Sequence, residues 1–533
     1  METITTDAGR PAAAPFMSPR AMRRDGRARP AHRQKVWGGY AASVALFAVV
    51  FTFWQLEPVP WAAHFAGILL CALCLFPLAL WRASGSNGLP MFELICLSYC
   101  LQFGLPLYLQ PNEVVIRSRP VALPWEAVQS AMLLAVVGVA SMIAAYYLLR
   151  ALKLSRRVPR LDLPLATHGQ VTYLKFSLCI GLAVTVLRVM GYAPDNAGPL
   201  GALVRVLTNQ INIALIVLAC QVYAVERPRH VALISLYSLT TAVSLLGLSS
   251  GMLENALTPW AVVLIARWHV SRKVAWRLII VGVFAFAFFN PVKREYRNEV
   301  WFGDETVGVV DSITIWFQLA GENVLGMIDG SKQGEESSAW MQETTSRLDL
   351  LHRFAYVGEM TPAVVPFYRG STYSYIWTGW IPRFIWPDKP SASESNRQMD
   401  VDYVLLEDFQ AAETGVSIGI GLLPESWANF GLAGVIAIMM LQGGLLAALN
   451  LMLNGPRSEG GAAIYLSLTV TFLNGIGTTF VLLFTSLLQN VIANALLLRP
   501  FAKSLKAPDK KAPAGGRALP SGYVSDVKVE TSL

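Results

Sequence analysis

"AVQSAMLLAVVGVASMIAAYYLL", Ala127–Leu149, is an unbroken apolar run that contains no Asp, Glu, Lys or Arg. About 20 such residues in an α-helix span the roughly 30 Å hydrocarbon core of a bilayer. Similar runs recur along the 533-residue chain, which is 54% hydrophobic and only 15% charged. Soluble domains usually carry about 25% charged residues. The sequence therefore predicts an all-α polytopic membrane protein.

The apolar pattern predicts about twelve transmembrane helices, with a large hydrophilic loop between the ninth and the tenth. The predicted helices are Trp37–Trp54, Trp61–Trp81, Pro90–Leu109, Ala127–Leu149, Thr172–Gly191, Leu200–Val225, Val231–Leu248, Met252–Val270, Trp276–Asn290, Phe430–Met452, Ala462–Leu473 and Ile476–Leu498. The last two are separate spans or a re-entrant pair that breaks at Asn474-Gly475.

This pattern divides the chain into five regions. Residues 1–36 form a basic tail predicted to be disordered, 37–290 hold helices 1–9, 291–429 form the large loop with short helices, 430–498 hold helices 10–12, and 499–533 form a second basic tail. The sequence gives no internal repeat of the kind seen in secondary transporters.

Lys and Arg in the short connections predict the orientation. They are concentrated in Arg150–Arg160 and Ala266–Arg277, whereas Gln55–Pro60 and Tyr192–Pro199 contain none. Because cytoplasmic connections carry the excess of Lys and Arg, both termini are predicted to be cytoplasmic and the large loop extracytoplasmic. The net charge of +8 is then explained by topology, and nucleic-acid binding is not expected.

No metal site or cofactor site is predicted. The six cysteines lie inside apolar runs, and the pair Cys71 and Cys74 has no accompanying ligand at metal-site spacing. The acidic string "DVDY", Asp400–Tyr403, is expected to be a solvated surface segment.

Arginines on the outer side are candidates for binding an anion. Arg294 and Arg297 in "NPVKREYRNEVWFG" are three residues apart and share a helical face. The alternative is that they anchor the chain at the membrane interface. Arg188 and Arg205 lie at the outer ends of helices 5 and 6, where a charge indicates function or snorkelling to the interface.

An amphipathic helix is predicted over "TTSRLDLLHRFAYVGEM", Thr344–Met360, with a threonine cap. Its apolar side consists of Leu350, Leu351 and Phe354. His352 lies between Arg347 and Arg353, and neighbouring cations favour the neutral imidazole that accepts a proton. A structural role is the alternative for a lone histidine.

The segment "STYSYIWTGWIPRFIWPDKPS", Ser371–Ser391, combines aromatic rings, cations and prolines. Pro382 and Pro387 stiffen the backbone on both sides of Arg383, which together with Lys389 suits a rigid anion site. The aromatic candidates for stacking on a sugar are Tyr373, Tyr375, Trp377, Trp380 and Trp386.

Glu425, in the string "ESWANFG" before helix 10, is the other candidate acid–base group. The alternative is a charge placed at a helix N-terminus.

The strings "GSTYSYIWTGWIPRFIWPDKP" and "ESWANFG", with many spans and one late outer loop, resemble Wzy-type O-antigen and exopolysaccharide repeat-unit polymerases. The resemblance implies transfer of a glycan from undecaprenyl pyrophosphate to a sugar hydroxyl of the next lipid-linked repeat, at the outer face of the bacterial inner membrane. It implies no cofactor, and it implies a flippase and a chain-length regulator as partners. The related ligases often carry an arginine in an SGxR-like turn, where this chain has Met252 and Glu254.

Together these interpretations assign three groups of site residues. The catalytic group is Arg383, Arg347, Arg353, His352 and Glu425; the pyrophosphate group is Lys389, Arg294, Arg297, Arg188 and Arg205; the sugar group is Trp377, Trp380, Trp386, Tyr373 and Tyr375. The alternative functions are an O-antigen ligase-like transferase and a transporter of polysaccharide or lipid-linked sugar.

Overall fold

The computed structural model describes residues 30–502, apart from 86–88, 117–118, 153–156, 162, 166, 191–200, 226–227, 302–306, 329–348, 380, 382–384, 387, 406–417 and 455–457. The chain is mostly helical over these residues. The helices are α1 Pro30–Phe53, α2 Trp61–Ala83, α3 Met91–Tyr99, α4 Trp125–Ala151, α5 Thr167–Val189, α6 Gly201–Ala224, α7 His230–Leu248, α8 Leu253–Ser271, α9 Trp276–Phe289, α10 Lys293–Val300, α11 Val309–Ile328, α12 Leu351–Met360, α13 Glu394–Asp402, α14 Leu422–Leu453, α15 Glu459–Gly475 and α16 Phe480–Leu498.

Shorter elements complete the described chain. A π-helical turn, Cys100–Gly104, and a helical turn, Pro106–Leu109, extend α3. Strands β1, Glu113–Ile116, and β2, Arg119–Ala122, form an antiparallel hairpin before α4. The fold is therefore helical with one small hairpin that the sequence did not predict.

A helix occupies each of the twelve predicted segments, and among the described residues eight helices are long and apolar enough to cross a membrane. The other four segments are shorter or more polar: α9 has 14 residues and α15 has 17, for example. Since a helix rises 1.5 Å per residue, helices of this length extend only about 21–26 Å, less than the roughly 30 Å hydrocarbon core of a bilayer. The chain is a membrane-associated helical protein, and twelve spans remain a prediction.

Three boundaries differ from the prediction. Residues 30–36 belong to α1, not to a disordered tail, and Pro30 begins that helix, where its missing N–H has no cost. Residues 499–501 form a 3₁₀ turn, and the Phe501 ring packs against Tyr173 and Phe176 instead of belonging to a free tail. The large loop contains α11, a helix of 20 residues that its mixed polarity concealed.

Helices α4 and α14 form the centre of the larger core. A Cβ at Gly138 would lie 2.6 Å from Leu423 Cδ2, and a Cβ at Gly443 would lie 2.1 Å from the Met142 carbonyl oxygen. Glycine is required at both positions because the two helices approach each other closely, as small residues permit in membranes.

The start of the large loop packs on the turn between α7 and α8. The Tyr296 hydroxyl donates to the Ser249 carbonyl at 3.0 Å, and the Trp316 indole N–H donates to the Leu248 carbonyl at 2.9 Å. Both rings are fully buried and stack with centroids 4.3 Å apart. These contacts fix α10 and α11 against the end of the helix bundle.

Helix α14 contains a sharp kink at Phe430 and Gly431. Gly431 has φ +59° and ψ −143°, a conformation that residues with a Cβ rarely adopt. The residues before the kink, Leu422–Asn429, are mostly buried, and the helix resumes beyond it. The kink explains why the apolar pattern indicated a helix start at Phe430.

Candidate functional site

Glu425 is fully buried and holds two other segments of the chain. Its Oε1 accepts a hydrogen bond from Thr372 Oγ1 at 3.0 Å, and its Oε2 accepts from the backbone N–H of Phe480, the first residue of α16. Asn429, one turn later, donates to Thr372 Oγ1 at 2.8 Å and accepts from the Gly370 N–H at 2.9 Å. Both carboxyl oxygens are thus engaged, which favours a structural role for Glu425.

His352 is also buried, with 1% of its surface exposed. Its Nδ1 lies 2.8 Å from Asp349 Oδ2, and its backbone N–H donates to Asp349 Oδ1 at 3.1 Å. Asp349 therefore accepts one backbone N–H of the first turn of α12, that of His352, just before the helix begins at Leu351. The predicted threonine caps lie outside the described residues.

The side chain of Arg353 contacts a different segment of the chain from His352. Its Nη1 donates to the Gly419 carbonyl at 2.6 Å, so the guanidinium fixes the segment that leads into α14. Burial lowers the pKa of Arg353, and the nearby carboxylates of Asp349 and Asp400 counteract this shift.

Asp400, expected to be solvated, is instead fully buried. Its Oδ2 accepts from the Ile418 N–H at 2.9 Å, and Tyr403 of the same string is buried as well. Burial raises the pKa of Asp400 to about 7, while the Ile418 N–H and the Arg353 cation act in the opposite direction. The prediction of a solvated segment holds for Asp402, which is exposed, and was wrong for Asp400 and Tyr403, because sequence polarity alone does not show that the loop folds back over α13.

We call this set of buried polar residues the loop anchor. Its members are Asp349, His352, Arg353, Thr372, Asp400, Glu425 and Asn429.

The aromatic and cationic segment lies beside the loop anchor. Lys389 Nζ donates to the carbonyls of Thr378 at 2.8 Å and Gly379 at 3.2 Å, so it closes the segment on itself. Trp377 is 72% exposed and Trp386 43% exposed. These two indoles are accessible, as a sugar platform or a membrane-interface contact requires.

The two predicted tyrosines differ from the tryptophans. Tyr373 packs between Phe430 and Phe480, with ring centroids 6.2 Å and 6.1 Å away, and burial raises the pKa of Tyr373 well above its usual value. Tyr375 is partly exposed. Tyr373 is thus a packing residue of the kinked helix.

Several predicted residues cannot be placed with the others. Arg347, Arg383 and Trp380 lie outside the described residues. Arg188, Arg205 and Arg294 lie on α5, α6 and α10, and only their backbone is described.

A cavity of about 700 Å³ lies elsewhere, at one end of the bundle. It is bordered by residues 208–212 of α6, the N-terminal parts of α8 and α16, the C-terminal parts of α7 and α15, and the ends of α10 and α11 that face them. Its polar lining residues are Thr208, Asn209, Asn212, Ser249, Ser250, Glu254, Asn255, Thr258, Ser312, Ser467, Thr471, Asn474, Thr478 and Ser486. We call this space the polar cavity.

The polar cavity has an unusual chemistry for a membrane protein. About half of its described lining residues carry an amide or a hydroxyl, and Glu254 is the one ionisable residue among them. The amides continue into the bundle, where Asn209 Nδ2 donates to Asn490 Oδ1 and Gln210 Nε2 donates to Asn494 Oδ1, both at 2.8 Å. Polar side chains in apolar helices are costly and indicate function.

Trp301 lines the cavity next to the start of the large loop. A Cβ at Gly251 would lie 2.7 Å from Trp301 Nε1, so the glycine, with φ +70°, makes room for the indole. The Arg297 guanidinium carbon lies 4.4 Å from the ring centroid, a cation–π distance. Trp301 is 37% exposed and is therefore held in place with part of its surface free.

Glu254 lies in the first turn of α8 and is exposed to the cavity. Its Oε1 accepts a hydrogen bond at 2.8 Å from Asn474 Nδ2, at the end of α15. Among the described residues, no hydrogen bond reaches Oε2. The Asn474 amide thus contacts one carboxylate oxygen of a side chain that lines the cavity.

None of the fifteen predicted site residues belongs to the described lining of the polar cavity. Arg297 is not a lining residue, but it contacts Trp301, which lines the cavity. The sequence contains a signal for the cavity, because Asn209, Asn212 and Asn474 interrupt apolar runs. The predicted break at Asn474-Gly475 lies at this cavity, whereas Asn209 and Asn212 did not enter the predicted site.

A family model described as a domain of unknown function, DUF8712, matches residues 177–504, well over half of the chain. The chain belongs to the DUF8712 family. Every described lining residue of the polar cavity lies within the DUF8712 match, and so does the loop anchor. Helices α1–α4 lie outside it. No curated protein and no solved structure matches the chain.

Proposed function

We propose that this DUF8712 protein is a membrane glycosyltransferase. It polymerises oligosaccharide repeat units linked to undecaprenyl pyrophosphate, and it moves the glycan en bloc from the lipid pyrophosphate to a sugar hydroxyl. The proposal places the reaction at the outer face of a bacterial inner membrane. The polar cavity is the observation that carries it.

The lining of the cavity supports a saccharide as ligand. Sugars present many hydroxyl groups, which pair with amide and hydroxyl side chains, and an apolar ring face, which stacks on an indole. The cavity offers Asn209, Asn212, Asn474 and other such groups together with the Trp301 ring. Its volume of about 700 Å³ falls within the range of small-molecule sites and fits a short oligosaccharide.

The position of the cavity supports the outer face. It lies at the end of the bundle where α7 ends and α8 begins, beside the start of the large loop. The Lys/Arg-rich connections follow the opposite ends of α4 and α8. If those connections are cytoplasmic, as the charge rule predicts, the cavity opens on the other side.

Cations near the cavity support a pyrophosphate leaving group. Arg297 lies over Trp301, and Arg205 lies on α6 one turn before Asn209. A cation placed where negative charge develops stabilises the transition state more than the ground state. In the proposal, Arg294, Arg188 and the loop residues Arg383 and Arg347 have the same role.

The loop anchor has a different part in this proposal. His352, Arg353 and Glu425 fix the loop and the start of α16, and so keep the walls of the cavity in place. Lys389, outside the loop anchor, closes the aromatic and cationic segment on itself. Trp377 and Trp386 remain candidates for contacts with the growing glycan.

A deletion strain tests the function directly. Lipid extracts of the strain should contain single repeats on the lipid carrier, because flipping continues while polymerisation stops. Long chains that remain on the carrier would instead indicate a ligase, and repeats that stay on the cytoplasmic side would indicate a transporter. Complementation with the Arg383→Ala variant should restore insertion but no polymer ladder.

A further inference from the structure

The polar cavity separates hydroxyl-binding groups from phosphate-binding groups. Its described lining contains amides, hydroxyls and the carboxylate of Glu254, and no Lys or Arg. A pyrophosphate there would face a like charge at short range without a compensating cation. The cavity therefore suits the sugar that accepts the chain and not the pyrophosphate that releases it.

We propose that the polar cavity is the acceptor subsite and that Glu254 is the general base that activates the acceptor hydroxyl. This inference rests on the proposed function and assigns its chemistry. Asn474 donates to Oε1 at 2.8 Å and orients the carboxylate. Oε2 is then available to accept the proton of a sugar hydroxyl that stands in the cavity beside Trp301.

The step is a direct displacement at the anomeric carbon of the donor sugar. The acceptor oxygen forms the new C–O bond while its proton passes to Glu254. The bond from the anomeric carbon to the pyrophosphate oxygen breaks, and its electron pair leaves with the pyrophosphate. Glu254 then releases the proton to water. Because one base and one displacement suffice, the new linkage has the opposite anomeric configuration to the donor.

Three other described carboxylates of the loop region are buried or have their oxygens engaged. Glu425 has both oxygens engaged and is fully buried. Asp349 accepts from His352 with both oxygens. Asp400 is fully buried. Glu254 combines exposure to the cavity with a fixed orientation.

The test uses the full-length protein in proteoliposomes and, as substrate, the lipid-linked repeats extracted from the deletion strain. Glu254→Gln should lower the rate of chain extension by about 100-fold or more, the typical contribution of a general base. Glu126→Gln is the matched control, since Glu126 lies in the first turn of α4, is exposed, and does not line the cavity. Its rate should stay within twofold of the wild type.

Two further measurements separate a base from a structural carboxylate. Sodium formate should restore part of the rate to Glu254→Ala, because it supplies a carboxylate to the vacated position. The new linkage should show inversion by NMR. A Glu254→Gln rate within threefold of the wild type, no response to formate, or retention of configuration would each overturn the assignment.

The failure of this inference is distinguishable from the failure of the proposed function. If wild-type protein extends the extracted repeats and Glu254→Gln does so equally well, only the role of Glu254 is wrong. If wild-type protein does not extend them, the polymerase function is wrong and the assignment of Glu254 is overturned with it.

Discussion

The loop anchor and the polar cavity both bring polar side chains into an apolar helix bundle, and they use them differently. In the loop anchor, the carboxylates, the amide and the guanidinium bind backbone groups or one another. In the polar cavity, similar groups border about 700 Å³ of open space. Polar residues that satisfy one another fix a structure, whereas polar residues around a space select a ligand.

The candidate acid–base residues of the two regions differ in exposure and in the number of hydrogen bonds that they make. His352 and Glu425 have the residue types of a general base, yet each is buried and engaged. Glu254 lies in the first turn of α8, a common position for a glutamate. It is nevertheless exposed in the cavity, and the Asn474 amide donates a hydrogen bond to one of its oxygens. Access and hydrogen-bond saturation therefore separate the two classes better than residue type does.

The largest expected effect is a loss of stability when the loop anchor is disrupted. Glu425→Ala removes the acceptor of the Phe480 N–H and of the Thr372 hydroxyl. Each buried donor left unsatisfied costs about 1–3 kcal/mol, so the unfolding free energy should fall by about 2–5 kcal/mol. Thermal unfolding in detergent micelles, followed by tryptophan fluorescence, measures the change.

Glu425→Gln is the control for that substitution, because it keeps the shape and one acceptor oxygen and should cost less. A Glu425→Ala protein that melts like the wild type but makes no polymer would contradict the comparison and restore Glu425 as a catalytic candidate.

A smaller effect on the rate of chain extension is expected when the tryptophan of the cavity or that of the loop segment is replaced. Trp301→Ala should lower chain extension by about 3- to 10-fold, the loss expected from about 0.5–1.5 kcal/mol of ring stacking. Trp301→Phe should retain most of the rate. Trp377→Ala, at a more exposed indole of the loop, should have the weaker effect. The reverse order would move the sugar site from the cavity to the loop segment.

The smallest expected effect is a change of the melting temperature with pH. Asp400 has a pKa of about 7 in the folded protein, above the value of about 3.9 for an unfolded chain. A carboxyl with a raised pKa stabilises the fold fully below the unfolded pKa, and this contribution is lost as the pH rises through about 7. The melting temperature should therefore fall between pH 5.5 and pH 8.

Asp400→Asn should remove part of that fall, because an amide does not ionise and still accepts from the Ile418 N–H. Melting curves of both proteins at the two pH values provide the measurement. An equal fall in the variant would show that Asp400 does not contribute to the pH dependence.

The sequence predicted helices well and contacts poorly. Each long apolar run became a helix because backbone hydrogen bonds in an apolar medium must be satisfied within the segment. The apolar side of α12 was also predicted, and Leu350, Leu351 and Phe354 are all buried. The burial of Asp400 was missed, since it depends on the Ile418 segment, which lies 18 residues later in the chain.

The sequence by itself determined the helical, membrane-associated class of the protein and the positions of its apolar helices. Hydrophobic length and local charge suffice for these, because each is a property of a short stretch. Only the tertiary structure decided which polar residues face a cavity. Glu254 and Asn474 are 220 positions apart and meet through the packing of α8 against α15, which no local pattern encodes.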